Sequence, residues 1–150
     1  MLQEIDVTTD YHKGMDAIES VIANSVPVDC PITHHFVNGV YCREMFTRKG
    51  TVLTSKIHKS MHPFILSMGV IAVVDNDMKP VILEAPHFGV TMPGTRRLIY
   101  AYEDSIWTTI HRTDVKPESD TIEDMEKAAK LIEDDIIQPH DLKELGLWPS

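Results

Sequence analysis

The sequence predicts a mainly β protein, a sandwich or closed barrel with a helix at each end. Three observations predict it. Between about residues 32 and 111, segments of five to eight residues rich in Val, Ile, Thr, Tyr and Phe alternate with turn signals. Upstream, Met15, Ile18, Val21 and Ile22 recur at helical spacing. Downstream, Ile122, Met125, Ala129, Ile132 and Ile136 form one apolar stripe among charged faces. At 150 residues, 43% of them hydrophobic, the chain supports one domain with a real core, spanning 1–150.

The elements follow in order. A short amphipathic helix is expected over about 14–24, with Gly14 weakening its first turn. Pro27 and Pro31 mark an extended connection. Strands are expected near 33–37, 40–47, 51–58, 64–74, 80–84, 87–91, 96–102 and 105–111, which is too many short strands for a βαβ sheet. Asn38-Gly39 is a hairpin signal, since both residues tolerate the positive φ of a tight turn. The barrel region runs from about 30 to 114. The second helix is expected over about 120–137, capped by Ser119 or Asp120 and stopped by Pro139. An ending with Leu142, Leu145, Leu147 and Trp148 is expected to dock on its own barrel or on a neighbouring subunit.

Charge narrows the function classes. A net charge of −9 argues against a general nucleic-acid coat, because a polyanion is repelled. The acidity sits in the flanks, however. Residues 40–116 hold ten Lys/Arg against seven Asp/Glu, a net of +3, while the flanks carry −12. The middle of the chain can receive an anion. No apolar run approaches the length of a membrane span, and the first ten residues lack the regions of a signal peptide. Cys30 and Cys42 make no disulfide framework and read as structural thiols in a reducing compartment.

The chemistry concentrates in histidine. Six of the eight, His34, His35, His58, His62, His87 and His111, fall in the β region. Imidazoles in such numbers serve as metal ligands or acid–base groups, or as partly buried residues bonded to backbone. If the strand over 51–58 turns His58 inward, it turns Val52, Thr54 and Lys56 inward too. A lysine facing a barrel interior needs an anion or a carboxylate, and Glu84 is one candidate. Trp107, Thr109 and His111 share one face of the last strand and can wall a pocket. Arg96 and Arg97 stand in a turn; the pair suits a carboxylate or phosphate, or else a solvated surface.

The block from Gly50 to Gly69, GTVLTSKIHKSMHPFILSMG, has the frame of the first cupin motif, G-x5-H-x-H-x3/4-E-x6-G. Lys56 stands where that motif has its first histidine, and His62 where it has the glutamate. The second motif, G-x5-P-x-G-x2-H-x3-N, is matched weakly by GVTMPGTRRLIYA, with Arg97 at the histidine position and Ala101 at the asparagine. ITHHFVNGVYCREMF, the Gly50–Gly69 block and PGTRRLIYAYEDSIWTTIHRT together resemble small cupin-like proteins encoded by tailed bacteriophages and prophages, over roughly residues 30–114. The matching positions include His34, His35, Arg43, Lys56, His58, His62, Arg97, Trp107, Thr108, Thr109 and His111. The resemblance implies a cupin-type double-stranded β-helix (jelly-roll) barrel. It further implies a homo-oligomer acting in the cytoplasm of an infected bacterial cell, or else in the virion, and it implies no settled reaction.

Three functions stay open at this stage. The first is binding of a small anionic molecule by Lys56, His58, His62, Arg97, Trp107 and His111, with sequestration of a host metabolite or nucleotide signal as one use. The second is a metal-dependent enzyme with one divalent transition metal (Fe, Mn, Ni or Zn) on His58, His62 and His111, a further ligand coming from His87 or Tyr100. The third is a non-catalytic virion or assembly component.

Overall fold

The computed structural model describes residues 7–25 and 28–133. Helix α1 (Val7–Ala23) precedes nine strands: β1 (Ile32–Val37), β2 (Val40–Thr47), β3 (Val52–Thr54), β4 (His62–Met68), β5 (Val70–Val74), β6 (Pro80–Glu84), β7 (His87–Thr91), β8 (Leu98–Ala101) and β9 (Ser105–Arg112). Helix α2 (Ile122–Glu133) follows. The strands form two antiparallel sheets, β1-β2-β9-β4-β7 and β3-β8-β5-β6. From β2 onward the chain crosses between the sheets at almost every turn, which is the double-stranded β-helix, or jelly roll. The expected fold class is the observed one, and it follows from this strand order.

Sequence chemistry explains the turns. The two-residue loop at Asn38-Gly39 joins Val37 to its partner Val40, with Gly39 alone taking the left-handed conformation (φ 78°). The expected strand over 64–74 is two strands, broken at Gly69 (φ 94°). A Cβ on Gly69 would overlap Ser105 Oγ and the Asp104 carbonyl, so the chain crosses between sheets there only because the residue has no side chain. The expected strand over 51–58 ends at Thr54, and 96–102 shrinks to Leu98–Ala101. Of the residues left outside strands, Ser55, Lys56, His58 and Arg97 line the cavity, where loops replace ladder pairing.

Alternation fills the space between the sheets. Phe64, Leu66, Ile71, Val73, Ile99, Ala101 and Trp107 are buried together as the core. Phe64 and Trp107 stack with ring centroids 4.2 Å apart. Helix α1 covers one end of the four-stranded sheet by burying Tyr11 and Met15, and Tyr11 donates its hydroxyl to the Val74 and Arg96 carbonyls. Val21 and Ile22, expected on the packed stripe, are exposed.

Arg96 fastens α1 to the barrel. It is 2% exposed and meets Asp16 and Glu19 of α1, each at 2.8 Å. The Arg96–Arg97 turn is therefore buried on both sides, against the solvated alternative, because α1 and the barrel wall close over it. On α2, Ala128 and Ala129 are buried, Thr121 caps the first turn through the Asp124 amide, and Ile122 is exposed despite its place on the expected stripe. Thr121 takes the cap expected of Ser119 or Asp120, while Ser119 braces it. Ile136, Pro139 and the apolar ending Leu142–Trp148 lie outside the described residues.

Replacing Gly69 by alanine is expected to cost about 3 kcal/mol, from the unfavourable φ and the overlap combined. Urea denaturation of the variant measures it, and a loss below about 1 kcal/mol would show that the crossover tolerates a side chain.

Candidate functional site

The site lies on the inner face of the five-stranded sheet, at the open end of the barrel. Period-two alternation on β9 turns Trp107, Thr109 and His111 inward, and on β2 it turns Tyr41, Arg43 and Met45 inward. Tyr41 pairs with His111, Arg43 with Thr109, Phe64 with Thr109 from the other side, and His62 with Thr91. Aligned in this way, the strands set Tyr41, His111, His62 and Thr91 in one row across the sheet. Gly89 in β7 leaves the space that the Phe64 ring occupies.

These residues enclose a cavity of about 140 Å³. Lys56, His58, His62, Arg97, Trp107 and His111, the six residues expected to bind a ligand, all line it. Thr109, expected on the same face as Trp107 and His111, lines it as well, as do Arg43, Tyr41 and Thr91 outside the expected set and the apolar wall of Leu53, Ile99 and Met45. The inward alternation of Tyr41, Arg43 and Met45 along β2 carried that signal. His34 instead bonds through Nδ1 to Tyr41 Oη at 2.6 Å on the edge strand, beside the cavity, and His35 faces Glu44 at 3.6 Å on the outside. His87 packs beside Phe64, and Tyr100 points outward.

Lys56 does not face the interior. The chain leaves strand geometry after Thr54, Ile57 is buried instead, and Lys56 sits half-exposed at the cavity mouth. Its ammonium pairs with Glu133 of α2 at 3.1 Å, so Glu84 is not its counter-charge. Ile132 and Glu133 thus bring the end of α2 over the opening.

Arg97 is the buried cation. Its guanidinium lies over Phe64 (5.1 Å to the ring centroid) and Trp107 (5.8 Å), an arrangement with cation–π character. Nη1 donates to Thr91 Oγ1 at 2.6 Å, Nε faces Asp75 at 3.7 Å, and the backbone is paired with Ser55 in both directions. Burial lowers its pKa, and Asp75 opposes that shift.

The three imidazoles lie together, with ring centroids 4.9 Å (His58–His111), 5.0 Å (His58–His62) and 4.5 Å (His62–His111) apart. Burial, then repulsion by His62, His58 and Arg43, pushes His111 down to about 3. Burial also lowers His62, whose Nδ1–H donates to the Ser60 carbonyl at 3.2 Å. Both rings are neutral at pH 7. Burial pushes Tyr41 up to about 12, so it stays a phenol.

Whether this cluster suits a metal can be tested on its packing. His58 and His111 stack face to face at 24°, and His111 Nε2 lies 2.9 Å from Thr109 Oγ1. Among the described residues, no group of three or more His, Cys, Asp or Glu is arranged to hold an ion. Arg97 and Lys56 also add positive charge to the same space. The cluster as packed does not fit a metal centre.

No protein-family model matches the chain, and no curated protein matches it. Among solved structures it is similar to a cupin-2 domain containing protein of Shewanella frigidimarina: 13% identity, 66% of this chain, 92% of that one, TM-score 0.46. It is also similar to a cupin superfamily protein of Desulfitobacterium hafniense, with 9% identity, 60% and 83% coverage and a TM-score of 0.49. A third likeness is to salicylate 1,2-dioxygenase of Pseudoaminobacter salicylatoxidans, with 14% identity, 68% of this chain, 30% of that one and a TM-score of 0.49. The strand order and the cavity define a jelly-roll protein with a small, cation-lined pocket.

The histidines make stability depend on pH. A group held below its unfolded value of 6.5 takes up a proton on unfolding, so its contribution is complete above pH 6.5 and is lost as pH falls toward about 3. At about 1.4 kcal/mol per pH unit, His111 alone should cost about 2 kcal/mol between pH 6.5 and 5. Urea unfolding across that range measures it, and His111→Asn should remove most of the slope. A wild-type stability that is flat from pH 7 to 5 would contradict the buried, neutral His111.

Proposed function

We propose that this chain binds a small anionic molecule inside its barrel. One observation carries the reading: Arg97, a cation only 9% exposed, packs against two aromatic rings at the wall of a cavity that Arg43 and, at its mouth, Lys56 also line. Fixed cations in a water-poor site attract an anion strongly because little solvent screens them. The apolar wall of Leu53, Ile99 and Trp107 would cover the ligand's carbon body.

The volume limits the ligand. About 140 Å³ is well under the roughly 300 Å³ from which pockets for drug-sized molecules start, so a metabolite of few heavy atoms fits better than a nucleotide. The sequence blocks that resemble phage-encoded cupin-like proteins support a use in the infected bacterial cell, as an oligomer that sequesters a host metabolite.

A metal-dependent enzyme is the second reading, favoured by the three imidazoles within 5.0 Å of one another. It ranks lower because the rings as packed do not fit a metal. Elemental analysis of untagged protein decides it: stoichiometric metal lost on replacing His58 and His62 would reverse the ranking.

Isothermal titration with acetate, butyrate and benzoate tests the anion reading. Lys56→Ala combined with Arg97→Met, which keeps bulk against Phe64 and Trp107, is expected to weaken binding at least ten-fold, the scale of a lost charge-assisted hydrogen bond. Unchanged affinity in a folded double variant would overturn it.

A further inference from the structure

The inner face of the five-stranded sheet carries a second row beside the histidines: Arg43, Thr109, Phe64 and Gly89, running across β2, β9, β4 and β7. The Arg97 guanidinium lies over Phe64 in this row, having reached across from the facing sheet. Arg43 stands in the same row, between His34 of β1 and Thr109, so that Thr109 lies between the two cations. β2 and β4 stand two strands apart, so their backbones are separated by about 9–10 Å.

The charges along the cavity are unequally answered. Lys56 meets Glu133 at 3.1 Å, and Arg97 Nε faces Asp75 at 3.7 Å. No carboxylate among the described residues forms an ion pair with Arg43. Arg43 is half-buried, inward-facing and part of the cavity wall. Its charge bears on His111, Tyr41 and His34. An inward cation with no ion-pair partner among the described residues is suited to meeting an anionic ligand.

We propose that the ligand carries two anionic groups, and that Arg43 holds the second while Arg97 holds the first. This rests on the reading of the cavity as an anion site and names its ligand class, a short dicarboxylate. Each guanidinium offers a planar fork that suits a carboxylate. Forks on either side of Thr109 call for charges on separate atoms, joined by a short carbon spacer along Leu53, Ile99 and Met45. The small cavity, about 140 Å³, keeps the spacer short.

Titration of the wild-type protein with malonate, succinate and glutarate, against butyrate and inorganic phosphate, tests this. One of the dicarboxylates is expected to bind at least about ten-fold more tightly than butyrate, the scale of one charge-assisted hydrogen bond. Arg43→Gln should abolish that preference, costing the favoured dicarboxylate at least about ten-fold more affinity than it costs butyrate. Arg43→Lys, which keeps the charge but loses the fork, should fall between them and guards against a folding defect in the glutamine variant. Equal binding of succinate, glutarate, malonate and butyrate, or a preference that survives Arg43→Gln, would overturn the inference. So would phosphate that binds as tightly as the best dicarboxylate and needs both arginines, since that marks one compact dianion. If no carboxylate and no phosphate binds the wild type, the anion reading itself fails, and the inference fails with it.

Discussion

Arg97 packs against the stacked Phe64 and Trp107 rings with its head tied to Thr91, and a cation so placed has to be answered electrostatically. Asp75 answers part of it, from 3.7 Å. The rest of the site is arranged around that charge. His62 and His111 stay neutral beside it, because burial and mutual repulsion both oppose protonation. The backbone of Arg97 is paired with Ser55 in both directions, which ties the loop after β3 to the turn before β8 and fixes where the cavity wall runs. Arg96, one residue earlier, points the other way and anchors α1 through Asp16 and Glu19. Two adjacent arginines thus serve two sides of the same wall, one in the cavity and one under a helix.

The mouth of the cavity differs physically from its interior. Lys56 and Glu133 are both partly exposed, so their ion pair contributes little, about 0–1 kcal/mol at most, and weakens with salt. Inside, Tyr41, His62, Arg97, Trp107 and His111 are each less than a tenth exposed, and a charge there acts at much greater strength. The boundary coincides with the end of strand geometry at Thr54. Beyond that residue the chain no longer alternates, and side chains at 56 and 58 take positions set by the loop.

The strand chemistry of residues 32–112 was readable one position at a time. The hairpin at Asn38-Gly39, the inward set Trp107, Thr109 and His111, and the strands Pro80–Glu84 and His87–Thr91 all follow from composition, alternation and turn residues. Where alternation held, so did the inference about direction. It failed at Lys56, because the strand stops after three residues and the period does not carry past it. It also failed to weigh Arg43, although Tyr41 and Met45 on either side marked the inward face.

Local patterning in this chain therefore specified which residues are strands, where they turn and which side chains share a face, because those depend on neighbours two to four positions away. Which faces meet was settled by the assembled barrel. Arg97 reaching Phe64 and Trp107, Glu133 reaching Lys56 across the mouth, and His58 stacking on His111 join residues distant along the chain. Such contacts arise from two sheets packed face to face and a helix laid over their open end, and no periodicity within one segment encodes them.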